Sequence, residues 1–553
     1  MTDEARQLIL LCDGTNNTAT GGSNDTNVVK LLGRLSLHSG NQRVFYDAGV
    51  GRPDALPGAT QSDKLKRLWE RLSGLAFGSG VYENISDAYG FLMDNYRPGD
   101  QIFVFGFSRG AFTARALAGL VNMFGILAPE HGNMMPSLLH IYFSQRNAKG
   151  SKDEKKRLAT IEQIRQLFVP VEHRETWIHF VGVWDTVASI GLPPFDRQIT
   201  GSPTIKNADG TPKKFRHMRH VLALDEHRTP FQPRLYLQEN LPEPNAHGQT
   251  LLQYWFPGAH CDAGGGYVDE EATLSDGALA WMVEEATTWG LRGVVPQPAS
   301  AGAPARIHSE LYDTPWWAIA GMSVRNPRVA LDENEIACHI PAERAPNAAR
   351  RALAFADTVW SQRRSFWSFA GALLGAALVY LAMGWALTDP SVMPTSNAAH
   401  GTWLAAVIEA NTTLAQWQLN SLQDCPAIVI PGAGGSPRTA VVLDFLFIVA
   451  YAYVLSRLAT RAFATLAGVR DIHSPARPVL NFLGGGLKLL VVADVVENLL
   501  TLLVFNFHTT WYPWLIHVLQ LALALASTLK FSGLALVLLL VGWGMMARLQ
   551  RHP

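Results

Sequence analysis

The stretch QIFVFGFSRGAF, residues 101–112, decides the fold. Its apolar part, residues 102–105, is short and uninterrupted, which is typical of a buried strand in a parallel sheet. Ser108 follows with Gly106 and Gly110 on either side, and apolar residues then recur at helical spacing. A serine held on a sharp turn needs neighbours without side chains. The stretch therefore predicts a strand, a tight turn that carries Ser108, and a helix, which is the setting of a nucleophile elbow.

Three further runs are typical of buried strands, namely residues 7–11, 176–184 and 251–256. Together with residues 102–105 they predict an α/β fold over residues 1–300. The expected architecture is an α/β-hydrolase-like, mostly parallel sheet with helices on both faces. Residues 301–365 are predicted to form a linker or helical connection.

The composition excludes several classes of function. The 553 residues include 46 basic and 46 acidic side chains, so no net charge favours nucleic acid as a partner. The four cysteines are scattered without a Cys-x-x-Cys pair, which disfavours a zinc site or a disulfide framework. No metal-ligand spacing or phosphate-binding loop is seen in the sequence, so neither metal nor cofactor is predicted. The acidic first residues run directly into a strand and do not resemble a secretory signal.

The last third of the chain has a different character. From residue 367 to the end only 16 residues are charged, and long apolar runs dominate. A helix needs about 20 apolar residues to cross a bilayer core. The candidate spans are residues 367–387, 441–458, 487–507 and 511–546, the last being one long or two short spans. The sequence predicts a membrane domain over residues 366–553 with four or five transmembrane helices, and a buried helical domain is the alternative.

Positive charges are distributed unevenly around these spans. Arginines such as Arg364 precede the first span, and Arg461 and Arg470 lie between the second and the third. In the segment of residues 389–439 the only lysine or arginine is Arg438. Because basic residues favour the cytoplasmic side, this pattern predicts a multi-pass protein whose hydrolase half is cytoplasmic. For a protein secreted into another cell, the membrane would be that of the target cell.

The third candidate span has a polar face. Four polar residues fall at i, i+3, i+4 and i+7, namely Asp494, Glu497, Asn498 and Thr501. Ionised carboxylates are unfavourable in a bilayer, so this face should turn inward. One interpretation is a structural role in which the carboxylates pair with Lys530 or Arg457, and the other is a conducting or proton-handling role.

The serine requires a histidine base that is itself held by a carboxylate. In α/β-hydrolases the acid follows the serine along the chain, and the histidine comes last. Asp185 directly follows the strand of residues 176–184, and a parallel sheet gathers its active-site groups at the carboxyl ends of its strands. Asp185 is therefore the predicted acid, with Asp225 as the alternative.

His260 is the best placed of the 17 histidines. It lies in a glycine-rich loop, residues 257–267, which follows the strand of residues 251–256. Such a loop gives an imidazole the access that proton transfer requires. His260 is the predicted base, with His227 and His220 as alternatives.

Two backbone N–H groups must stabilise the oxyanion. Arg109, the residue after the serine, is expected to supply one of them. The other is expected from the loop after the first strand, where Gly14 or Thr15 is the candidate and Asp13 shapes the turn. The sequence Asp-Gly-Thr also occurs in aspartate-based phosphatases, but their second aspartate is replaced here by Thr15, which disfavours that chemistry.

Five motifs occur together in order: CDGTNN (12–17), FYDAGVG (45–51), GFSRGAF (106–112), VWDTV (183–187) and PGAHCDAGGGY (257–267). As a set they resemble the bacterial and fungal α/β-hydrolase family that includes the type VI secretion phospholipase effectors of the first lipase-effector class. The likeness spans roughly residues 5–290. It implies a Ser-Asp-His esterase acting on phospholipid acyl chains, and Ser108, Asp185 and His260 all match motifs of the family.

The sequence therefore predicts a membrane-associated serine esterase, and the resemblance implies an esterase of phospholipase A type that serves as an antibacterial type VI secretion effector. The expected partners are a phospholipid membrane, a secretion spike or chaperone, and an immunity protein. One alternative is a housekeeping esterase tethered to its own membrane. The other is a membrane pore or transport protein with a regulatory hydrolase-like domain.

Overall fold

The computed structural model describes residues 5–14, 24–36, 41–49, 75–144, 151–187, 189–190, 197–198, 204–207, 209–236, 240–295, 307–325, 363–387, 437–469, 477–507 and 513–549. The chain divides into two compact units. The first, here called the sheet unit, comprises Met1–Glu226, Pro230–Ser309 and Arg325–Pro346. The second, here called the helical unit, comprises His227–Thr229, Glu310–Val324 and Asn347–Pro553.

A parallel sheet of six strands forms the centre of the sheet unit. Its strands are β1 (Gln7–Cys12), β2 (Gln42–Asp47), β3 (Gln101–Phe107), β4 (Ile178–Trp184), β5 (Phe215–Ala223) and β6 (Thr250–Phe256). They lie in the order β2-β1-β3-β4-β5-β6, and every pair is parallel. The chain thus runs from β1 outward to the edge strand β2 and then returns to the other side of β1. The predicted parallel α/β sheet is confirmed.

Helices cover both faces of this sheet. They are α1 (Asn27–Arg34), α2 (Leu75–Asn95), α3 (Arg109–Phe124), α4 (Met135–Phe143), α5 (Lys152–Phe168), α6 (His260–Gly264) and α7 (Thr273–Thr288). Alternate strand residues point to opposite faces. Leu10 therefore packs in the layer that contains residues of α2 and α3, whereas Leu11 packs in the layer that contains residues of α1 and α7.

Shorter elements complete the described secondary structure. An antiparallel pair of two-residue strands joins Ser189–Ile190 to Arg197–Gln198. Short 3₁₀ helices are Pro129–Met134, Val171–His173, Thr229–Phe231, Asp269–Glu271 and Pro315–Ala320. None of these interrupts the central sheet.

The strand register places the carboxyl ends of the central strands along one edge. Cys12 of β1 pairs with Gly106 of β3, and Phe107 pairs with Trp184 of β4. Because the connection reverses direction between β1 and β3, this edge contains the topological switch point, where open α/β sheets bind their ligands. The residues that follow β3 and β4 at this edge are Ser108 and Asp185.

The helical unit contains α8 (Glu310–Asp313), α9 (Arg363–Leu387), α10 (Pro437–Val469), α11 (Arg477–Gly484), α12 (Gly486–Phe507) and α13 (Pro513–Leu549). Two of the described helices have stretches long and apolar enough to cross a membrane, Thr439–Leu466 in α10 and His517–Ala547 in α13. The segment predicted as one long or two short spans forms one continuous helix, α13. The total of four or five spans and the cytoplasmic placement stay predictions.

The polar face predicted for the third span belongs to α12 and is buried. Lys530 of α13 places its ammonium 2.6 Å from a Glu497 carboxylate oxygen and 2.8 Å from Asp494 Oδ1. Asn498 donates its amide to Asp444 Oδ2 at 2.9 Å. The pairing with Lys530 is therefore confirmed. The guanidinium of Arg457, the other predicted partner, donates instead to the hydroxyl of Tyr453.

Replacing Lys530 by methionine should destabilise the helical unit by about 3–5 kcal/mol, because two buried carboxylates would lose the cation that they share. Thermal unfolding of the full chain in detergent, followed by circular dichroism, measures this effect. Neutralising the carboxylates as well, with Asp494→Asn and Glu497→Gln, should recover much of the loss. Lys488→Met on α12 is the matched control. A Lys530→Met protein as stable as that control would contradict the expected role of the ion pairs.

Candidate active site

The turn between β3 and α3 holds Ser108 in a strained conformation. Its φ is 57° and its ψ is −117°, and among the described residues only Ser108 and Asp185 are non-glycine residues with positive φ. A Cβ on Gly106 would lie 2.4 Å from the carbonyl oxygen of Gly110, and one on Gly110 would lie 2.1 Å from the carbonyl oxygen of Cys12. Both positions therefore require glycine. The predicted elbow is present, and strain of this kind occurs typically at functional sites.

Asp185 occupies the corresponding position after β4, also with positive φ, 40°. Its side chain is completely buried. One carboxylate oxygen, Oδ2, lies 2.6 Å from His260 Nδ1, and the other, Oδ1, accepts the backbone N–H of Ala223 at 3.0 Å. Arg325 donates to both oxygens. The carboxylate is thus surrounded by donors from three parts of the chain.

These donors determine the charge of Asp185. Burial by itself raises the pKa of the carboxyl, because it disfavours the ionised form. The positive charge of Arg325 and the hydrogen bond from His260 outweigh burial and hold the pKa of Asp185 well below its usual range. Asp185 is therefore ionised at neutral pH and accepts from the Nδ1–H of His260.

His260 is the first residue of α6, so the glycine-rich segment predicted as a loop, residues 257–267, contains a short helix. Its imidazole is buried and packs against two aromatic rings, with centroid distances of 4.6 Å to Phe107 and 5.0 Å to Phe231. Its backbone N–H donates to a carboxylate oxygen of Glu226 at 3.3 Å. Phe107 directly precedes Ser108, so the imidazole lies beside the serine turn.

The backbone of Ser108 is also tied to the neighbours of Asp185. The N–H of Ser108 donates to the carbonyl of Trp184 at 3.0 Å, and its carbonyl accepts the N–H of Val187 at 3.3 Å. The structure therefore brings the three predicted residues to one place: Asp185 and His260 through a side-chain hydrogen bond, and Ser108 through its backbone and through Phe107.

Asp225, the alternative acid, is bound to the backbone of residues 257–259, which connect β6 to His260 and are here called the histidine loop. Its carboxylate accepts the N–H of Gly258 at 2.7 Å, and its own N–H donates to the carbonyl of Gly258 at 2.9 Å. Glu226 holds the backbone of His260, as described above. These two acidic side chains therefore position the loop, whereas Asp185 contacts the imidazole itself.

The alternative bases lie in other surroundings. His220 is buried beside Thr186, 3.1 Å from its hydroxyl oxygen, and burial together with the charge of Arg115 lowers its pKa to about 3. His227 belongs to the helical unit, where its ring lies 5.7 Å from that of Phe463. The imidazole that contacts the carboxylate of Asp185 is that of His260.

The structure describes two of the three candidate oxyanion donors, Arg109 and Gly14. Arg109 is the first residue of α3, so its backbone N–H points out of the start of that helix. The N–H of Gly14 donates to Asp13 Oδ1 at 2.6 Å, and buried Asp13 also accepts from Thr26 and from Tyr46. Asp13 therefore holds this turn, as predicted. Thr15 lies outside the described residues.

Sequence reasoning missed Arg325 and Glu226. Arg325 is 140 positions from Asp185 and follows no strand of the sheet. Glu226 is adjacent to Asp225, but its hydrogen bond depends on the path of a loop that begins more than 30 residues later. No local pattern indicates either contact.

The close approach of α3 to β1 gives a prediction about Gly110. We expect Gly110→Ala to destabilise the sheet unit by about 1–3 kcal/mol, because the added methyl group forces the backbone apart at Cys12. Gly90→Ala in α2 is the control, since its Cβ would meet no atom within 4 Å, and alanine there should be neutral or stabilising. Thermal unfolding of both variants measures the difference. Equal unfolding temperatures would contradict the close approach.

Parts of this sequence are similar to those of known proteins. A family model described as the catalytic domain of the type VI secretion system (T6SS) Tle1-like phospholipase effectors matches residues 6–285. The uncharacterized protein YEL023C of Saccharomyces cerevisiae is 30% identical over 234 residues, which are 42% of this chain and 33% of the yeast protein. The chain thus spans about a third of the length of that relative.

Two solved structures are similar at lower identity. The crystal structure of an uncharacterized protein from Pseudomonas aeruginosa is 16% identical and has a TM-score of 0.33, with 87% of this chain and 76% of that chain covered. The structure of the Tle1 effector bound to the VgrG spike of the Type 6 secretion system is 19% identical and has a TM-score of 0.24, with 49% and 53% covered. The family model matches just over half of the 553 residues and includes Ser108, Asp185 and His260, and the chain therefore belongs to the T6SS Tle1-like phospholipase effector family.

Proposed function

We propose that this protein is a membrane-associated serine esterase that hydrolyses the acyl ester bonds of phospholipids with Ser108, Asp185 and His260 as its catalytic triad. The observation that carries the proposal is the 2.6 Å hydrogen bond between His260 Nδ1 and buried Asp185, at the sheet edge that also holds the strained serine turn. Membership of a phospholipase effector family supports a lipid ester as the substrate.

The reaction follows from the hydrogen-bond arrangement. Because Asp185 accepts the Nδ1–H of His260, the Nε2 atom of the imidazole is left as the base. Ser108 Oγ attacks the acyl carbonyl carbon while His260 Nε2 takes the hydroxyl proton. The bond between the acyl carbon and the glycerol oxygen then breaks, and His260 returns the proton to the lysophospholipid. Water attacks the acyl-enzyme in the same way and releases the fatty acid.

The oxyanion of each tetrahedral intermediate needs two N–H donors. We assign one to the backbone of Arg109 and the other to the loop of Gly14 or Thr15. In the described arrangement the N–H of Gly14 donates to its own neighbour, Asp13. Gly14 would therefore have to exchange that bond for the substrate oxygen, unless Thr15 supplies the donor.

The helical unit supports action at a membrane. Two of its described helices are long and apolar enough to cross a bilayer, and they are covalently joined to the sheet unit. Insertion would hold the esterase close to lipid and raise its effective substrate concentration without changing the chemistry. As a T6SS effector the protein would be carried by a secretion spike, and its producer would need an immunity protein.

Replacing Ser108 by alanine should abolish phospholipid hydrolysis, because the attacking hydroxyl is removed. Loss of a triad serine lowers turnover by about 10⁶-fold. The measurement is release of fatty acid from phospholipid vesicles by the full chain, together with labelling by a fluorophosphonate probe, which reacts only with an activated serine.

Ser86→Ala is the matched control, because the Ser86 hydroxyl donates to the carbonyl of Tyr82 within its own helix. The control should keep wild-type hydrolysis and wild-type labelling. Full activity in Ser108→Ala would show that the triad assignment is wrong. Normal labelling of Ser108 without fatty acid release would leave an esterase with a different substrate, which rejects the phospholipase proposal.

A further inference from the structure

Arg325 makes the most extensive set of contacts with Asp185. One guanidinium nitrogen lies 2.5 Å from Asp185 Oδ1 and the other lies 2.9 Å from Oδ2, so the two planar groups face each other as a fork. Both side chains are completely buried. Arg325 lies 40 positions beyond the last residue that the family model matches, residue 285.

We propose that Arg325 is a positioning residue for catalysis, which fixes the plane of the Asp185 carboxylate and thereby the orientation of His260. This inference rests on the proposed function, since it assigns Arg325 a part in the same triad. Arg325 contacts neither the serine nor the imidazole in the described hydrogen bonds, so its effect would pass through Asp185.

The guanidinium is itself fixed by the backbone. The nitrogen that bonds Oδ1 also donates to the carbonyl of Ala223 at 2.5 Å, and the other nitrogen also donates to the carbonyl of Phe231. Ala223 ends β5, and the Phe231 ring packs against His260. Arg325 therefore connects the carboxylate to two backbone carbonyls, one at the end of β5 and one of the residue whose ring packs against His260.

A carboxylate in this position needs such a support. Without Arg325, the backbone N–H of Ala223 on Oδ1 would be the one described support left besides His260 itself. Rotation of Asp185 about its last side-chain bond would then move Oδ2 away from the imidazole. A bidentate arginine prevents this rotation, because both oxygens are held in one plane. The fork also neutralises a charge that would be very unfavourable if it were buried without a partner.

A purely structural ion pair would behave differently on mutation. Its loss would reduce the amount of folded protein but would leave the kcat of the folded fraction unchanged. A positioning role predicts a lower kcat of the folded fraction with an unchanged KM, because the base is misaligned while substrate binding is not.

Arg325→Lys and Arg325→Met separate charge from geometry. Lysine keeps the positive charge but cannot form the planar fork, so kcat should fall about 10²-fold while KM stays unchanged. Methionine removes the charge as well, so kcat should fall at least as far. The substrates are a soluble short-chain nitrophenyl ester and phospholipid vesicles, assayed with the full chain in detergent.

Arg219→Lys is the matched control. Arg219 is also a buried arginine of the sheet unit, and it pairs with Glu285 at 2.5 Å rather than with a triad residue. The control should lower stability without changing the kcat of the folded enzyme. If Arg325→Met does not fold, Arg325→Lys carries the test.

The outcomes are distinguishable. An Arg325→Lys enzyme with wild-type kcat, or a folded Arg325→Met enzyme with wild-type kcat, would overturn the positioning role. Either result with normal fluorophosphonate labelling of wild-type Ser108 rejects only the inference about Arg325. Wild-type protein that is not labelled at Ser108, or Ser108→Ala protein that stays active, rejects the proposed function itself.

Discussion

The Asp185 carboxylate is completely buried, and the arrangement of the site depends on how its charge is compensated. An ionised carboxylate removed from water is stable only if it is paired and hydrogen-bonded. Here the donors come from His260, Arg325 and the backbone of Ala223. Each donor belongs to a different segment of the chain. The charge of Asp185 therefore holds together the end of β5, the start of α6 and the residue that follows segment 310–324. The contacts that compensate the charge of Asp185 therefore also align His260.

The backbone around this carboxylate is equally constrained. Ser108 and Asp185 both have positive φ, which is unfavourable for residues with a side chain and persists only where the surroundings enforce it. The enforcement is visible in the hydrogen bonds from Ser108 to Trp184 and from Val187 to Ser108, which lock the two turns to each other. Because adjacent parallel strands end at the same edge, two strained turns can share their hydrogen bonds there. Strain is thus concentrated at the place where the proposed chemistry occurs.

In the helical unit, too, buried carboxylates are paired with a positive charge. Its carboxylates Asp494 and Glu497 lie on one face of α12, and both pair with Lys530 of α13. This arrangement supports a structural role for the polar face, since the ion pairs hold two long apolar helices together. The model of the family's catalytic domain ends at residue 285, before residues 310–324 and 347–553 of the helical unit. The proposed contribution of this unit is attachment to a membrane and not the chemistry of hydrolysis.

Local sequence was sufficient for four of the six strands of the parallel sheet, for the serine turn, and for the expectation that Asp185 and His260 serve the serine. The reason is that buried strands, the tight Gly106–Gly110 turn and residues directly after strands are all encoded within a few neighbouring positions. Only the tertiary structure decided that the His260 imidazole contacts Asp185 while Asp225 binds the loop backbone, that Lys530 rather than Arg457 pairs with α12, and that Arg325 reaches Asp185 across 140 positions. These choices depend on strand register and on the paths of long loops, and neither leaves a periodic or short-range signal in the sequence.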